Sequence, residues 1–95
     1  MFVYHVRLIL VVKRRYRPEE ALRLIRKLAR ERDLTVGEQK GRGKGSHRRF
    51  QILNAQGGEV ARFGLVSHPG DMSWTVSRSV EEALEHIFGE GWMDG

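Results

Sequence analysis

Residues 46–68 read SHRRFQILNAQGGEVARFGLVSH, and this stretch decides the fold of the chain. Apolar and polar side chains alternate on both sides of Gln56-Gly57-Gly58, a glycine-rich triplet that favours a tight turn. Alternation with period two is typical of β-strands that lie on a core. We therefore predict two strands, over 46–54 and 60–68, paired as an antiparallel hairpin.

The predicted hairpin has an apolar face and a polar face. The apolar face carries Phe50, Ile52, Ala61, Phe63 and Leu65. The polar face carries His47, Arg49, Gln51 and Arg62. If the turn is Gln56-Gly57, His47 lies opposite Val66; if it is Gly57-Gly58, His47 lies opposite His68. In both registers the two histidines share one face at the same end of the hairpin, and a one-residue bulge would undo this arrangement.

Helices and one further strand flank the hairpin. An acidic, proline-containing first turn and apolar residues at helical spacing predict a helix over 18–32, and residues 34–40 predict a short strand. Ser79 and Glu82 have the spacing of a capping box at the start of a second helix, and Gly89 is a natural stop. The order α-β-β-β-α predicts an α+β fold in which both helices cover one face of an antiparallel sheet.

The chain has 95 residues, which is enough for one domain. We divide it into an N-terminal extension (1–16), a core (17–89) and a tail (90–95), whose Trp and Met side chains we expect to pack back onto the domain. All even positions of residues 2–12 are apolar, which predicts an extra N-terminal β-strand. This segment is too short to span a bilayer and lacks the flanks of a signal peptide, so we expect no membrane association.

Charge is distributed unevenly along the chain, whose net charge is +5. Residues 1–49 carry 15 Lys/Arg and 5 Asp/Glu, whereas residues 50–95 carry 2 and 7. A basic half beside an acidic half predicts a surface for a polyanion. The chain has no cysteine, which excludes disulfides and thiolate metal sites and fits a reducing cytoplasm.

A glycine-rich basic loop, GRGKG at 41–45, leads into His47. Glycines let backbone N–H groups approach a phosphate, and a histidine moves protons near neutral pH. Cleavage of RNA by its own 2′-hydroxyl needs a base, an acid and positive charge near the phosphate. We assign His47 as the catalytic residue, and we expect no cofactor and no metal because carboxylates are scarce near this end. The candidates for RNA contact are Lys44, Gly45, Ser46, Arg49, Arg62 and His68, of which His68 is a structural or positioning residue rather than a catalytic one.

Gly45-Ser46-His47 at the start of a strand, Phe50 three residues on, and Val66-Ser67-His68-Pro69 together form a recognisable pattern. With it the chain resembles the HicA-type mRNA interferase toxins, small proteins with a double-stranded-RNA-binding-domain-like fold. The resemblance covers residues 18–89 and includes apolar positions of both helices: Leu22, Ile25, Leu28, Val80, Leu84 and Ile87.

The resemblance implies ribosome-independent endonuclease cleavage of mRNA that halts growth, with the catalytic role carried to His47. It also implies a HicB-type antitoxin that masks the site, encoded beside the toxin in a bacterial operon. The N-terminal strand is an addition to a family of shorter chains; it can extend the sheet or support a dimer, so we expect a monomer or a weak dimer. The loop over 41–45 is longer and more basic than is usual in the family.

Two other classes of function stay open: a non-catalytic RNA-binding module of the same fold, and a protein-binding domain with an acidic partner. Modules that grip duplex RNA place lysines at the start of the last helix. Residues 77–82 read SRSVEE, which is too acidic for that task, so single-stranded or loop RNA is the favoured ligand. Salt-dependent affinity for RNA would favour the endonuclease and the RNA-binding module over the protein-binding domain, and cleavage would leave only the endonuclease.

Overall fold

The computed structural model describes residues 16–39, 47–66 and 70–93. The predicted N-terminal strand lies outside these residues, as do Lys44, Gly45, Ser46 and His68. The elements are α1 (Pro18–Arg30), β1 (Thr35–Glu38), β2 (His47–Leu53), β3 (Glu59–Val66) and α2 (Trp74–Phe88). The prediction of an α+β chain with the order α-β-β-β-α is confirmed.

The three strands form one antiparallel sheet in the order β1-β2-β3, with β2 in the centre. In the β1–β2 pair, Val36 lies opposite Ile52. In the β2–β3 pair, His47 lies opposite Val66, which is the register predicted for a turn at Gln56-Gly57.

The turn between β2 and β3 is longer than two residues. Asn54 N donates to Gly58 O at 2.8 Å, so the loop spans Asn54 to Gly58. The Asn54 side chain stabilises it, because its Oδ1 accepts hydrogen bonds from the backbone N–H groups of Gln56 (3.0 Å) and Gly58 (2.8 Å). Gly57 has a φ of 85°, a conformation that glycine adopts without strain.

A β-bulge next to this turn sets the register of the rest of the hairpin. Ile52 lies opposite Ala61, whereas the next residue, Leu53, lies opposite Glu59. Val60 is therefore the extra residue on β3. The bulge lies between the turn and His47. The pairs on the His47 side of it, from Ile52–Ala61 to His47–Val66, are regular, so their side chains lie on the faces that the sequence predicts.

Both helices pack on one face of the sheet. The inner face of the sheet carries the predicted apolar residues Phe50, Ile52, Ala61, Phe63 and Leu65, together with Val36. The helices contribute Ala21, Leu22, Ile25 and Ala29 from α1, and Val80, Leu84 and Phe88 from α2. The rings of Phe50 and Phe63 stack with their centroids 5.0 Å apart at the centre of this core. The opposite face of the sheet is uncovered by any described residue and is called the open face below.

Helix α1 begins where the sequence predicts and ends two residues earlier. Pro18 occupies the first turn, and Glu20 Oε1 accepts a hydrogen bond of 2.9 Å from the backbone N–H of Arg17. Residues 31–33 form a turn in which Asp33 has a φ of 56°. This left-handed residue ends the helix and directs the chain into β1.

Helix α2 begins five residues before the predicted cap, so the prediction of a helix start at Ser79 is wrong. Ser73 is the N-cap, and its Oγ accepts a hydrogen bond of 3.2 Å from Val76 N. The additional turn packs on the core, where Ser77 is buried and Val76 is half-buried. Ser79 lies on the exposed side of the helix, where its spacing to Glu82 has no capping role.

The two ends of the described chain meet in the core. Trp92 and Met93 are buried, as predicted for the tail. Trp92 Nε1 donates to Glu81 O at 2.9 Å, and its ring packs edge-on against Phe88 at 5.3 Å. Tyr16, assigned to the extension by the sequence, is itself buried, and its hydroxyl donates to Met93 O. The core therefore begins at Tyr16 and includes the first residues of the tail.

Candidate functional site

The open face of the sheet carries a polar surface. His47 and Arg49 on β2 and Arg62 on β3 are exposed there, and Gln51 is half-buried between them. This confirms the prediction that these four side chains share one face of the hairpin. The face owes its polarity to the alternation of β2, whose Phe50 and Ile52 side chains enter the core on the other face.

His47 and Arg49 lie at the end of this surface that is away from the turn. They lie two residues apart on β2, roughly 7 Å along the strand. His47 is exposed and makes no hydrogen bond or ion pair with another residue in the described part of the chain. Its ring nitrogens are therefore not engaged by those residues, and Arg49 places a permanent positive charge beside them.

Arg62 lies on the same face but further toward the turn. It is opposite Gln51, four residues from the level of His47, which is roughly 13 Å along the strand direction. Its guanidinium Nε donates to Glu59 in an ion pair, and the Arg62 side chain is 70% exposed. Arg62 can thus bind a distant phosphate of a long substrate, while Arg49 is the cation next to His47.

Two glutamines on the open face are linked by a hydrogen bond. Gln39 Nε2 donates to Gln51 Oε1 at 2.7 Å, and Gln39 N donates to Arg49 O at 2.8 Å. The bond fixes the orientation of the Gln51 amide, whose own NH₂ group can donate to a ligand. Gln39 was not among the predicted site residues, since it follows the end of β1 and no motif marks it.

Glycines flatten the open face on both sides of the central strand. Gly64 on β3 lies opposite Arg49, and Gly37 on β1 lies opposite Gln51. A Cβ at Gly64 would meet only Arg48 O at 3.6 Å, and one at Gly37 only Gln51 Cγ at 4.0 Å. A side chain would fit at both positions. Because glycine has none, the open face has a shallow depression beside Arg49 and Gln51, which we call the track.

The Arg48 side chain lies on the opposite face of the sheet from His47 and Arg49, and its contacts hold the start of β2 in place. Its Nε and Nη2 donate to Glu38 at 2.9 and 3.0 Å, and its Nη1 donates to Glu19 at 2.9 Å. These hydrogen bonds, those to Glu38 above all, raise the pKa of the Arg48 guanidinium above its ordinary value. Its guanidinium carbon lies 5.1 Å from the centroid of the Phe50 ring. Sequence reasoning missed this role because the two carboxylates come from different elements.

His86, for which the sequence suggested no role, contacts the bulge. Its Nε2 donates to Val60 O at 3.0 Å. Since Val60 is the extra residue of β3, this bond satisfies a carbonyl group beside the irregular part of the sheet ladder. His86 belongs to the packing of α2 and not to the open face.

Because α2 begins at Trp74, residues 77–82 are not the start of the helix, and the prediction about duplex RNA must be made from a different turn. The first turn of the helix, which begins at Trp74, contains neither an acidic residue nor a lysine. The lysines that grip duplex RNA are therefore missing from this turn, whereas the acidic residues Glu81 and Glu82 lie further along the helix. Trp74, at this helix start, is 47% exposed.

The described residues contain no group of three or more His, Asp or Glu side chains placed to hold a metal ion. Neither α1 nor α2 is long and apolar enough to cross a bilayer. No protein-family model, curated protein or solved structure matches the chain. The residues of the open face are therefore the structural basis for assigning a function.

Proposed function

We propose that the protein is a metal-independent endoribonuclease, an mRNA interferase toxin of the HicA type, with His47 as its catalytic residue. One observation carries the proposal. His47 is an exposed imidazole at the start of β2, on the open face beside Arg49, and no other described residue engages it. An imidazole in this setting can transfer protons at neutral pH next to a cation that attracts phosphate.

The chemistry that we propose uses the RNA's own 2′-hydroxyl as the nucleophile. The O2′–P bond forms and the P–O5′ bond breaks, which leaves a 2′,3′-cyclic phosphate and a 5′-hydroxyl. His47 takes the proton from the 2′-hydroxyl or supplies one to the departing O5′. Arg49 stabilises the negative charge that develops on the phosphate oxygens.

Further residues complete the proposed site. Lys44 and the backbone N–H groups of Gly45 and Ser46 hold the phosphate, and His68 positions the substrate. Arg62 binds the RNA backbone nearer to the turn. This division of roles matches the resemblance, in which the histidine of the Gly-Ser-His motif is catalytic.

The proposal extends to the setting of the protein. Its fold is of the double-stranded-RNA-binding-domain type, with an extra N-terminal β-strand, predicted from residues 2–12, added to the sheet. It acts in the cytoplasm during stress as a monomer or weak dimer, and a HicB-type antitoxin inhibits it by covering His47. Addition of the antitoxin should therefore abolish cleavage, and its affinity should fall when Arg49 is changed to glutamate.

The decisive test is cleavage of an end-labelled mRNA in EDTA by the wild-type protein, His47→Ala and His86→Ala. His86 is the matched control, since it is an exposed histidine outside the open face. We expect wild-type protein and His86→Ala to cut, leaving cyclic phosphate ends, and a folded His47→Ala to be inactive. Equal cutting by His47→Ala would contradict the assignment of His47.

A second candidate function is a non-catalytic RNA-binding module. It is favoured by one observation: among the described residues, His47 is the open face's only group that transfers protons near neutral pH. A binding module needs Arg49, Arg62 and the glutamines but no acid–base pair. If wild type and His47→Ala bind RNA equally and neither cuts, this second function is the correct one.

A further inference from the structure

Helix α1 carries a stripe of cations on its outer side. Each of Arg23, Arg26, Lys27 and Arg30 lies three or four residues from two of the others, so they are neighbours on one side of the helix. All four are exposed. With 3.6 residues per turn, Arg23, Lys27 and Arg30 lie on the side of the helix opposite its buried residues. We call these three residues the α1 stripe.

The α1 stripe is on the other side of the molecule from the open face. The buried side of α1, which includes Ala21, Ile25 and Ala29, packs on the inner face of the sheet. The outer side of the helix therefore points away from the sheet, whereas His47 and Arg49 lie on the open face, on the far side of the sheet from α1. The two basic surfaces are separated by the core, and the stripe is not part of the proposed catalytic site.

The α1 stripe is not neutralised by the carboxylates around it. Among the described residues the ion pairs are Arg48–Glu19, Arg48–Glu38, Arg62–Glu59 and Arg78–Glu82, and none includes a stripe residue. Glu20, in the first turn, accepts a hydrogen bond from Arg17 N instead. Glu31 follows Lys27 by four residues but forms no ion pair with it. Like charges at these spacings destabilise a helix, so the uncompensated stripe opposes folding.

We propose that the α1 stripe is a second nucleic-acid contact, which binds the sugar–phosphate backbone of RNA independently of sequence. Arg23 and Arg30 are seven residues apart, about 10 Å along the helix axis, which is enough for roughly three phosphates of one strand. The three long side chains reach separate phosphates, and the neighbouring cation Arg26 is held toward β1 by its hydrogen bond to Val36 O at 3.2 Å.

The absence of an apolar anchor decides between RNA and an acidic protein. Protein interfaces have a desolvated centre rich in aromatic and other apolar side chains. Trp74 is the one large hydrophobic side chain exposed among the described residues, and it lies at the start of α2 and not on α1. A cation stripe without such an anchor suits phosphates, for which charge and counterion release supply the affinity.

The experiment measures the affinity of the full chain for a fluorescein-labelled, fully 2′-O-methylated RNA by anisotropy over a series of salt concentrations. This RNA lacks the nucleophile, so the result does not depend on whether the protein is an endonuclease. The test variant is Arg23→Gln/Lys27→Gln. The matched control is Arg32→Gln/Arg78→Gln, which removes the same charge from other exposed positions. Glutamine has a helix propensity close to those of arginine and lysine, so helicity is preserved.

We expect the test variant to bind on the order of tenfold more weakly at low salt, with the slope of log K against log salt reduced by about two. The control should keep nearly the wild-type slope. Equal losses in both variants would show an effect of net charge and would overturn the proposal, as would no loss in either. Competition by poly-L-glutamate as effective as competition by unlabelled RNA would favour an acidic protein partner and would also overturn it.

Discussion

Arg48 and Glu38 form a two-point ion pair across the β1–β2 strands, with Nε to Oε2 at 2.9 Å and Nη2 to Oε1 at 3.0 Å. A bidentate geometry restricts both side chains more than a single contact does. Since Arg48 is adjacent to His47 in the chain, the pair fixes the backbone from which the candidate catalytic side chain extends. It also connects β2 to α1 through Glu19.

We predict that Arg48→Met destabilises the protein by about 1–3 kcal/mol, because it removes both hydrogen bonds that Arg48 donates to the partly buried Glu38 carboxylate. Arg48→Lys should recover only part of this loss, since an ammonium group cannot reproduce the two-point contact. Urea denaturation measures both. Glu19→Gln is the control: the Glu19 side chain is 68% exposed, and its loss should cost less than about 1 kcal/mol. A larger loss for Glu19→Gln than for Arg48→Met would refute this ranking.

Gly64→Val should separate stability from activity. A side chain at this position has room above the sheet, and a β-branched residue suits a strand, so we expect stability to stay level or rise by up to about 1 kcal/mol. The same side chain would obstruct the track beside Arg49 and reduce RNA cleavage, or RNA binding in a non-catalytic module. Thermal unfolding and a cleavage assay give the two measurements. Ser79→Leu, on the exposed side of α2, is a bulky control that should leave cleavage unchanged.

Ser77→Ala should stabilise the protein. Ser77 is buried in α2, and its Oγ has no hydrogen-bond partner among the described residues. Removal of an unsatisfied hydroxyl, together with the higher helix propensity of alanine, should add about 1 kcal/mol to the free energy of unfolding. The control Ser79→Ala changes propensity alone and should add less. If Ser77→Ala proved destabilising in urea, the hydroxyl would have to have a partner.

Trp92→Ala should destabilise the protein by about 3–5 kcal/mol, because it removes a large buried ring from contact with Phe88. Trp92→Phe keeps a ring but loses the hydrogen bond from Nε1 to Glu81 O. The free energy of unfolding should therefore fall by about 1 kcal/mol more than the smaller side-chain volume alone predicts. Guanidinium denaturation followed by circular dichroism measures both variants. A denaturation midpoint for Trp92→Ala equal to that of the wild type would show that the C-terminal turn is dispensable.

The sequence predicts the sheet well because period-two alternation is a local signal. It was sufficient to place Phe50 and Ile52 in the core and His47 and Arg49 on the open face. The start of α2 was mispredicted because two serines compete as caps. Ser79 has a partner at capping-box spacing, but Ser73 caps the helix in the structure, where the additional turn buries Ser77.

The contacts that sequence reasoning missed all join residues far apart in the chain. Arg48 has no unusual neighbours in sequence, and its partners become visible only when β1 and α1 are placed beside β2. The same holds for His86 and Val60, which come from different elements. The α1 stripe is an intermediate case, since its spacing and its place away from the apolar side of the helix are readable from sequence but its lack of ion pairs is not.

The bulge at Val60 makes the tip of the hairpin independent of the site. The bulge compensates for the odd number of residues in the loop. The pairing from Ile52–Ala61 to His47–Val66 therefore does not depend on a two-residue turn. His86 holds the bulge from the helix side. The tip is therefore a natural attachment point: a fluorophore or photocrosslinker carried by a cysteine at the exposed Ala55 would report on RNA or partner binding while leaving His47 opposite Val66.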